Sequence, residues 1–228
     1  MPMNTPRIVA LVPMRDQSER VPGKNYRALA GAPLFHHILR ALQASRGIAE
    51  IAVDTDSPSI KAGLAEHFPA VRVIERPEHL RAGEVPMNEI LLHDTAQIPA
   101  DFYLQTHSTN PLLRSETIGR AIDAFVAALP KVDSLFSVTG LQTRFYDAEG
   151  KAVNHNPKEL LRTQDLPPVY EENSCIYIFS RASLAQHSHR IGASPLMFPI
   201  PRNEAWDIDE ELDFQIADFL MQQRQKTS

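Results

Sequence analysis

Over the first 140 residues, short apolar runs alternate with segments of helical periodicity, and this rhythm limits the possible folds more than any other feature. Residues 7–12 open it with the unbroken run Ile8, Val9, Ala10, Leu11 and Val12, the pattern of a strand covered on both faces. Further strands are predicted at 51–53, 71–74, 102–104 and 133–138. Helices separate them: one starts at Pro33 and carries Leu34, Phe35, Ile38, Leu39 and Leu42 at helical spacing, and others cover 59–67, 88–97 and 115–129. The order βαβαβαβαβ leads to an α/β domain with a mostly parallel sheet flanked by helices.

After Gly140 the rhythm breaks. Asp147-Ala148-Glu149-Gly150 has the composition of a hairpin turn, and Pro157, Pro167 and Pro168 interrupt regular structure until a strand at 174–179. Residues 140–172 are therefore expected to leave the main sheet and return, as a subunit contact, a substrate lid or a plain surface insertion. A strand at 196–200 and a helix at 209–225, with Leu212, Ile216, Phe219 and Leu220 on one apolar face, complete a single domain over residues 1–228. At 43% hydrophobic, a chain of 228 residues can bury one sizeable core. Its formal charge of -5 argues against broad attraction to nucleic acid or to an anionic membrane, so any polyanion must be held by a local basic cluster. Cys175, the one cysteine, sits in an apolar run and reads as a buried small side chain. The first residues lack a leader pattern and no run is long enough to cross a bilayer, so the cytoplasm is the expected compartment.

Two segments carry chemistry. Pro13-Met14-Arg15-Asp16-Gln17-Ser18-Glu19-Arg20-Val21-Pro22-Gly23-Lys24-Asn25 places Arg15, Arg20 and Lys24 in a loop at the carboxyl end of the first strand, where open α/β sheets bind ligands. The planar fork of Arg and the compact charge of Lys together suit a triphosphate, and Ser18 offers a neutral donor. This is not a P-loop, because Gly23 stands alone before Lys24-Asn25. Near the other end, Trp206-Asp207-Ile208-Asp209 alternates its aspartates, so an extended backbone would send both carboxylates to one side, a pairing suited to Mg²⁺. Asp209 has the alternative of capping the terminal helix, and Asp213 is expected on that helix's surface. His36, His37, His67, His79 and His93 make no zinc-ligand spacing.

The loop's pattern, Pro-x-Arg-x-x-Ser-x-x-x-Pro-x-Lys-Asn, resembles that of the sugar-activating cytidylyltransferases, the family of acylneuraminate cytidylyltransferase and 3-deoxy-manno-octulosonate cytidylyltransferase. The resemblance continues in order through Leu34, Val53-Asp54-Thr55-Asp56, Arg76-Pro77-Glu78, Leu104-Gln105, Asn110-Pro111-Leu112, Asn173-x-x-Ile176-Tyr177 and Asp207-Ile208-Asp209, nearly the whole chain. It implies a Rossmann-like nucleotidyltransferase sheet, a homodimer, and transfer of CMP from CTP to the anomeric hydroxyl of an acidic 2-keto sugar. It further implies that Arg15, Ser18, Arg20, Lys24 and Asn25 bind the nucleotide, with Arg15, Lys24 and Asp209 catalytic. Arg162, Gln164 and Asn173 would face the sugar acid, and Asp207 and Asp209 would carry Mg²⁺.

Three departures separate this sequence from the family pattern. Glu19 takes a place where Lys or Arg is common, with Arg20 supplying the cation one residue later. Gln105-Thr106-His107-Ser108-Thr109-Asn110-Pro111 is longer than the usual Gln-Pro-Thr-Ser-Pro, so Gln105 and His107 compete for the cytosine. Ala82-Gly83-Glu84-Val85-Pro86-Met87-Asn88 replaces an Asp-Thr-Ala-Ser type element. The rival readings are a metal-dependent glycosyltransferase and a non-catalytic module that binds nucleotide sugars.

Overall fold

The computed structural model describes residues 5–16 and 20–227, and it contains the expected βαβαβαβαβ succession. In chain order the elements are β1 (Ile8–Leu11), β2 (Ala28–Leu29), β3 (Ala32–Pro33), α1 (Leu34–Ala44), β4 (Glu50–Thr55), α2 (Pro58–His67), β5 (Arg72–Glu75) and α3 (Met87–Gln97). They continue with β6 (Phe102–Gln105), α4 (Ser115–Ala128), β7 (Ser134–Leu141), β8 (Val169–Phe179), α5 (Arg181–His187), β9 (Pro195–Pro199) and α6 (Glu211–Thr227). Seven strands form the main sheet in the order β5-β4-β1-β6-β8-β7-β9, and β2 pairs with β3 in a small separate hairpin.

Every neighbour pair in the main sheet is parallel except those made by β8, which is antiparallel to both β6 and β7. A direct hairpin-like return from β7 produces this reversal without a crossover helix. Residues 142–168, which make that return, consequently leave and re-enter at the carboxyl end of the parallel strands. The excursion is shorter than expected because β7 and β8 both extend into it, pairing Leu141 with Val169. Its hairpin turn is present: Tyr146 bridges Ala152, and the Gly150 amide donates to the Asp147 carbonyl at 3.1 Å.

Side chains of β1 alternate between two cores, as the pleat requires. Ile8 and Ala10 pack with Phe35, Ile38 and Leu39 of α1 and Ile118, Ile122 and Phe125 of α4. Val9 and Leu11 pack on the opposite face with Leu91 of α3, Tyr103, Phe179 and Leu184. Because β4 and β6 flank β1 and the chain crosses from one side to the other between them, a crevice opens at the carboxyl end of β1.

A third cluster sets the position of α6. Phe214, Ala217 and Met221 pack with Val21, Leu29, Leu34, Leu112 and Ile208. Of the expected inward face, Leu220 packs against this cluster, whereas Leu212 and Phe219 are exposed. Polar contacts decide the rotation, since the Arg27 guanidinium lies 4.1 Å over the Phe214 ring and forks onto Glu211 at 2.6 and 2.9 Å, while Asp218 accepts from the Ala30 amide at 2.6 Å. The helix also begins at Glu211 rather than 209, because the Asp213 carboxylate reaches back to accept the Asp209 and Glu210 amides at 3.1 and 2.8 Å.

A buried ionic group joins β4, β5 and α3 beside the crevice. Arg76, 3% exposed, pairs with Oδ1 of Asp54, and a carboxylate oxygen of Asp94 lies within 4.8 Å of one of Asp54. Oδ2 of each aspartate is buried with no hydrogen-bond partner among the described residues. Two buried carboxylates this close repel each other when both are ionised, so the pair favours holding one proton. Asp94 holds it, because burial and the neighbouring Asp54 charge push its pKa up to about 9, whereas Arg76 opposes the rise that burial causes at Asp54. His93 completes a group of ligand-type atoms within 4.8 Å of one another, but the guanidinium already supplies the positive charge there.

Between the ordinary aspartate value of 3.8 and about 9, the folded chain thus holds one more proton than the unfolded chain. Stability should fall as pH rises across that window, by up to about 1.4 kcal/mol per pH unit, and level off above it. Asp94→Asn, which cannot ionise beside Asp54, should flatten this slope and unfold at a higher temperature than the parent at about pH 8. Parallel curves of unfolding midpoint against pH for the two proteins would remove the shared proton.

Candidate functional site

The loop after β1 rises from the sheet, turns at Gly23 with φ of 64°, and ends in a single 3-10 turn at Lys24–Tyr26. Only glycine adopts that backbone without strain. Val21 is fully buried under α6, which anchors the loop at its middle. Asn25 locks its end: its amide donates to the Arg15 carbonyl at 3.2 Å and accepts from the Ser108 hydroxyl at 2.7 Å. Asn25 thus lines the site while both ends of its amide are spent on the protein. Ser18 lies outside the described residues.

A cavity of about 430 Å³ opens over this loop, and Arg15, Arg20, Lys24, Arg76 and Arg190 line it together with His107, Asp207 and Asp209. No hydrogen bond or ion pair among the described residues occupies the Arg15 guanidinium. Lys24 donates to the Ile208 carbonyl at 2.7 Å. Burial lowers its pKa, and the charges of Asp207 and Asp209 oppose that loss. Such a concentration of cations in a chain of net negative charge marks a polyanion site.

The aspartate pair forms one wall of this cavity. Ile208 between the two is fully buried and its amide donates to the Thr109 carbonyl at 3.0 Å, so the alternation expected of an extended backbone is realised. Asp209 accepts from Arg20 at 2.7 Å and leaves the capping role to Asp213. Asp207 is more deeply held: burial raises its pKa, and its Oδ1 is buried without a partner. A buried orphan oxygen beside a second carboxylate is a donor set suited to a hard divalent cation.

Both aspartates and Ser174 also line a second cavity of about 380 Å³, with Glu171, Glu172, Asn173, Arg202, Trp206 and Asp213. Its shape depends on a bulge where β8 slips against β7 between Phe136 and Val138. Asn173 fixes the bulge, accepting from Ser137 at 2.6 Å and donating to Thr139 at 2.9 Å, and Ser174 there takes a φ of 57°. The Asn173 amide is therefore largely consumed by the strand.

Gln105 and His107 divide their roles. Gln105 is fully buried, its carbonyl held by Arg190 at 2.7 Å and its nitrogen by the Thr106 carbonyl and His107. His107 reaches the cavity, and burial with the charges of Arg190 and Lys24 pushes its pKa down to about 3. Arg162 and Gln164 are not brought to either cavity. The Arg162 side chain forks onto Asp165 at 2.7 and 3.0 Å on an exposed 3-10 turn, and the Gln164 carbonyl accepts from Gln142.

Sequence reasoning gave no role to Arg76 or Arg190. Arg76 had a signal, an arginine at the carboxyl end of a predicted strand. Arg190 had none, because it follows the unpredicted helix α5 and arrives in the site only through tertiary packing.

A family model described as Cytidylyltransferase matches residues 9–221. CMP-N,N'-diacetyllegionaminic acid synthase of Legionella pneumophila is 28% identical over 96% of this chain and 98% of its own. Post-translational flagellin modification protein B of Campylobacter coli is 26% identical over 95% and 96%. Among solved structures, CMP:2-keto-3-deoxy-manno-octonic acid synthetase complexed with CTP superposes with a TM-score of 0.70 at 16% identity, covering 96% of this chain and 99% of that one. The crevice at the end of β1, its cationic loop and the match across almost the whole chain lead to one conclusion: the chain belongs to the cytidylyltransferase family.

Proposed function

We propose that the chain transfers CMP from CTP to the anomeric hydroxyl of an acidic 2-keto sugar of the sialic-acid type, releasing pyrophosphate, with Mg²⁺ held by Asp207 and Asp209. The observation that carries this reading is the wall those aspartates form between a cationic cavity and a second, open one. CTP occupies the first and the sugar the second, so the hydroxyl oxygen meets the α-phosphorus at the shared wall. A bond forms between them, the bond to the β-phosphate bridging oxygen breaks, and the hydroxyl proton passes to water. Mg²⁺ at the aspartates would neutralise phosphate charge and make the hydroxyl more acidic. Arg15, Arg20 and Lys24 offset the charge of the triphosphate and hold it in line. The names of the relatives, a legionaminic acid synthase and an octonic acid synthetase, support an acidic sugar as acceptor.

Within one chain, Arg202 is the cation among the described residues that lines the acceptor cavity. Arg162 and Gln164 lie on the excursion, which also exposes Tyr146, Val153, Leu160 and Leu161, and on this reading they reach the acceptor of a second copy of the chain. The protein accordingly acts as a homodimer built on this excursion. Leu160, 93% exposed, is the sharpest test. Leu160→Glu should leave the chain folded and shift sedimentation toward the monomer. A parent protein that sediments as a monomer at micromolar concentration would refute the dimer.

Asp209→Asn should cut pyrophosphate release from CTP roughly 100-fold or more while the fold holds, because its side-chain partner is an exposed arginine. Near-normal turnover of the folded variant at saturating Mg²⁺ would discard the metal role. Arg15→Ala should weaken CTP binding by about one to two decades, the size of a lost charge-assisted hydrogen bond of about 1.5 to 3 kcal/mol. Calorimetry is the direct measurement, and unchanged CTP affinity would make the loop a solvated surface.

A further inference from the structure

A relay of polar groups runs from Tyr177 through Arg190 and Gln105 to His107 and ends in the cationic cavity. Its donors and acceptors permit one arrangement. The guanidinium carbon of Arg190 lies 3.6 Å from the centre of the Tyr177 ring, and the group has only N–H donors. Its Nη1, 2.7 Å from Gln105 Oε1, therefore fixes which end of the Gln105 amide is oxygen. The amide nitrogen then has two hydrogens and two acceptors, the Thr106 carbonyl at 3.2 Å and His107 Nε2 at 2.9 Å. An amide nitrogen cannot accept, so His107 Nε2 must present a lone pair, and the ring hydrogen is left on Nδ1. No hydrogen bond among the described residues occupies that Nδ1.

We infer that Arg190 is a positioning residue for the transfer reaction: acting through Gln105, it holds His107 as the neutral imidazole with its hydrogen on Nδ1, an uncharged donor to CTP. The inference rests on the cytidylyltransferase reading of the cavity. It gives His107 a use that its neighbours cannot share. Arg15, Lys24 and Arg190 bring charge, whereas a neutral N–H brings direction without adding repulsion among those cations. It also separates Gln105 from His107, since Gln105 spends both ends of its amide on the relay and His107 alone of the two faces the ligand.

The tautomer can be read directly by nitrogen NMR of the full chain labelled with ¹⁵N-histidine, His107 being identified by the resonances lost in His107→Gln. The parent should show a protonated Nδ1 and an unprotonated Nε2, and CTP should shift the Nδ1 signal. Gln105→Glu keeps the pair with Arg190 but presents only acceptors, so the hydrogen should move to Nε2. Arg190→Met should give a mixture of both tautomers and raise KM for CTP about tenfold, with a smaller change in KM for the sugar. Arg190→Lys, which still donates to Gln105, should restore the single Nδ1–H form. A hydrogen on Nε2 in the parent, a single Nδ1–H tautomer in Arg190→Met, or an Nδ1 signal indifferent to CTP would each overturn the inference. Failure of the parent to release pyrophosphate from CTP would instead end the enzymatic reading, and the tautomer measurement would still stand.

Discussion

The hydrogen bond from Lys24 to the Ile208 carbonyl joins segments 184 positions apart and ties the cationic loop to the aspartate pair that lines both cavities. Ile208 is the plug of this joint, buried among Val21, Leu29, Leu34 and Leu112 while its amide and carbonyl are both satisfied. The aspartates on either side of it have no choice of face. Lys24 loses hydration on entering the joint and regains part of it from the carbonyl and from two nearby carboxylates. A charge-assisted hydrogen bond of about 1.5 to 3 kcal/mol is comparable with the cost of burying an ammonium partway, so Lys24 contributes little net stability. What it contributes is placement: it holds the cationic loop and the aspartate wall at a fixed separation.

The reversal of β8 has the same kind of consequence. A sheet with every strand parallel would return the chain after β7 to the far end before the next strand began. By running antiparallel, β8 starts at the ligand end, and its first residues, Glu171 to Ser174, become a wall of the second cavity. The bulge then turns Ser174 to the junction of the two cavities, at the cost of a left-handed backbone that Asn173 secures through Ser137 and Thr139. Asn173 therefore shapes the second cavity, which accounts for an asparagine there even though its own amide is occupied.

Elements whose signal is local were legible. The five strands of the first half and the helices between them appear within a few residues of their expected places, because an unbroken apolar run or a helical stripe is written in consecutive side chains. The cationic loop and the aspartate alternation were legible for the same reason. The inward face of α6 was only partly legible: Leu220 packs inward as expected, but Phe214, Ala217 and Met221 follow helical spacing as well as Leu212, Ile216 and Phe219 do, and contacts with Arg27 and Ala30, distant in sequence, choose between them. The little hairpin of β2 and β3 and the helix α5 are too short to show a period, although Ser180, whose hydroxyl accepts from the Ser183 amide, was a readable start for α5. Arg190 needed the packed structure, because nothing around it in sequence suggests a ligand.

Charge is zoned in this molecule to a degree its net value conceals. Among the described residues, five basic side chains gather around the first cavity, while Glu171, Glu172, Asp207, Asp209 and Asp213 line the second with Arg202 as the cation. A triphosphate entering the first zone meets compensation, and its charge also relieves the mutual repulsion of those cations, so the site is more stable filled than empty. The second zone repels anions unless something neutralises its carboxylates. An acidic acceptor is therefore disfavoured there until a cation has settled at the shared wall, and the cation in turn is favoured by the phosphates of a bound nucleotide. In the proposed reaction these charges would favour an order in which nucleotide and metal precede the acid. The Asp207–Asp209 wall would be the element through which the first occupancy makes the second one favourable.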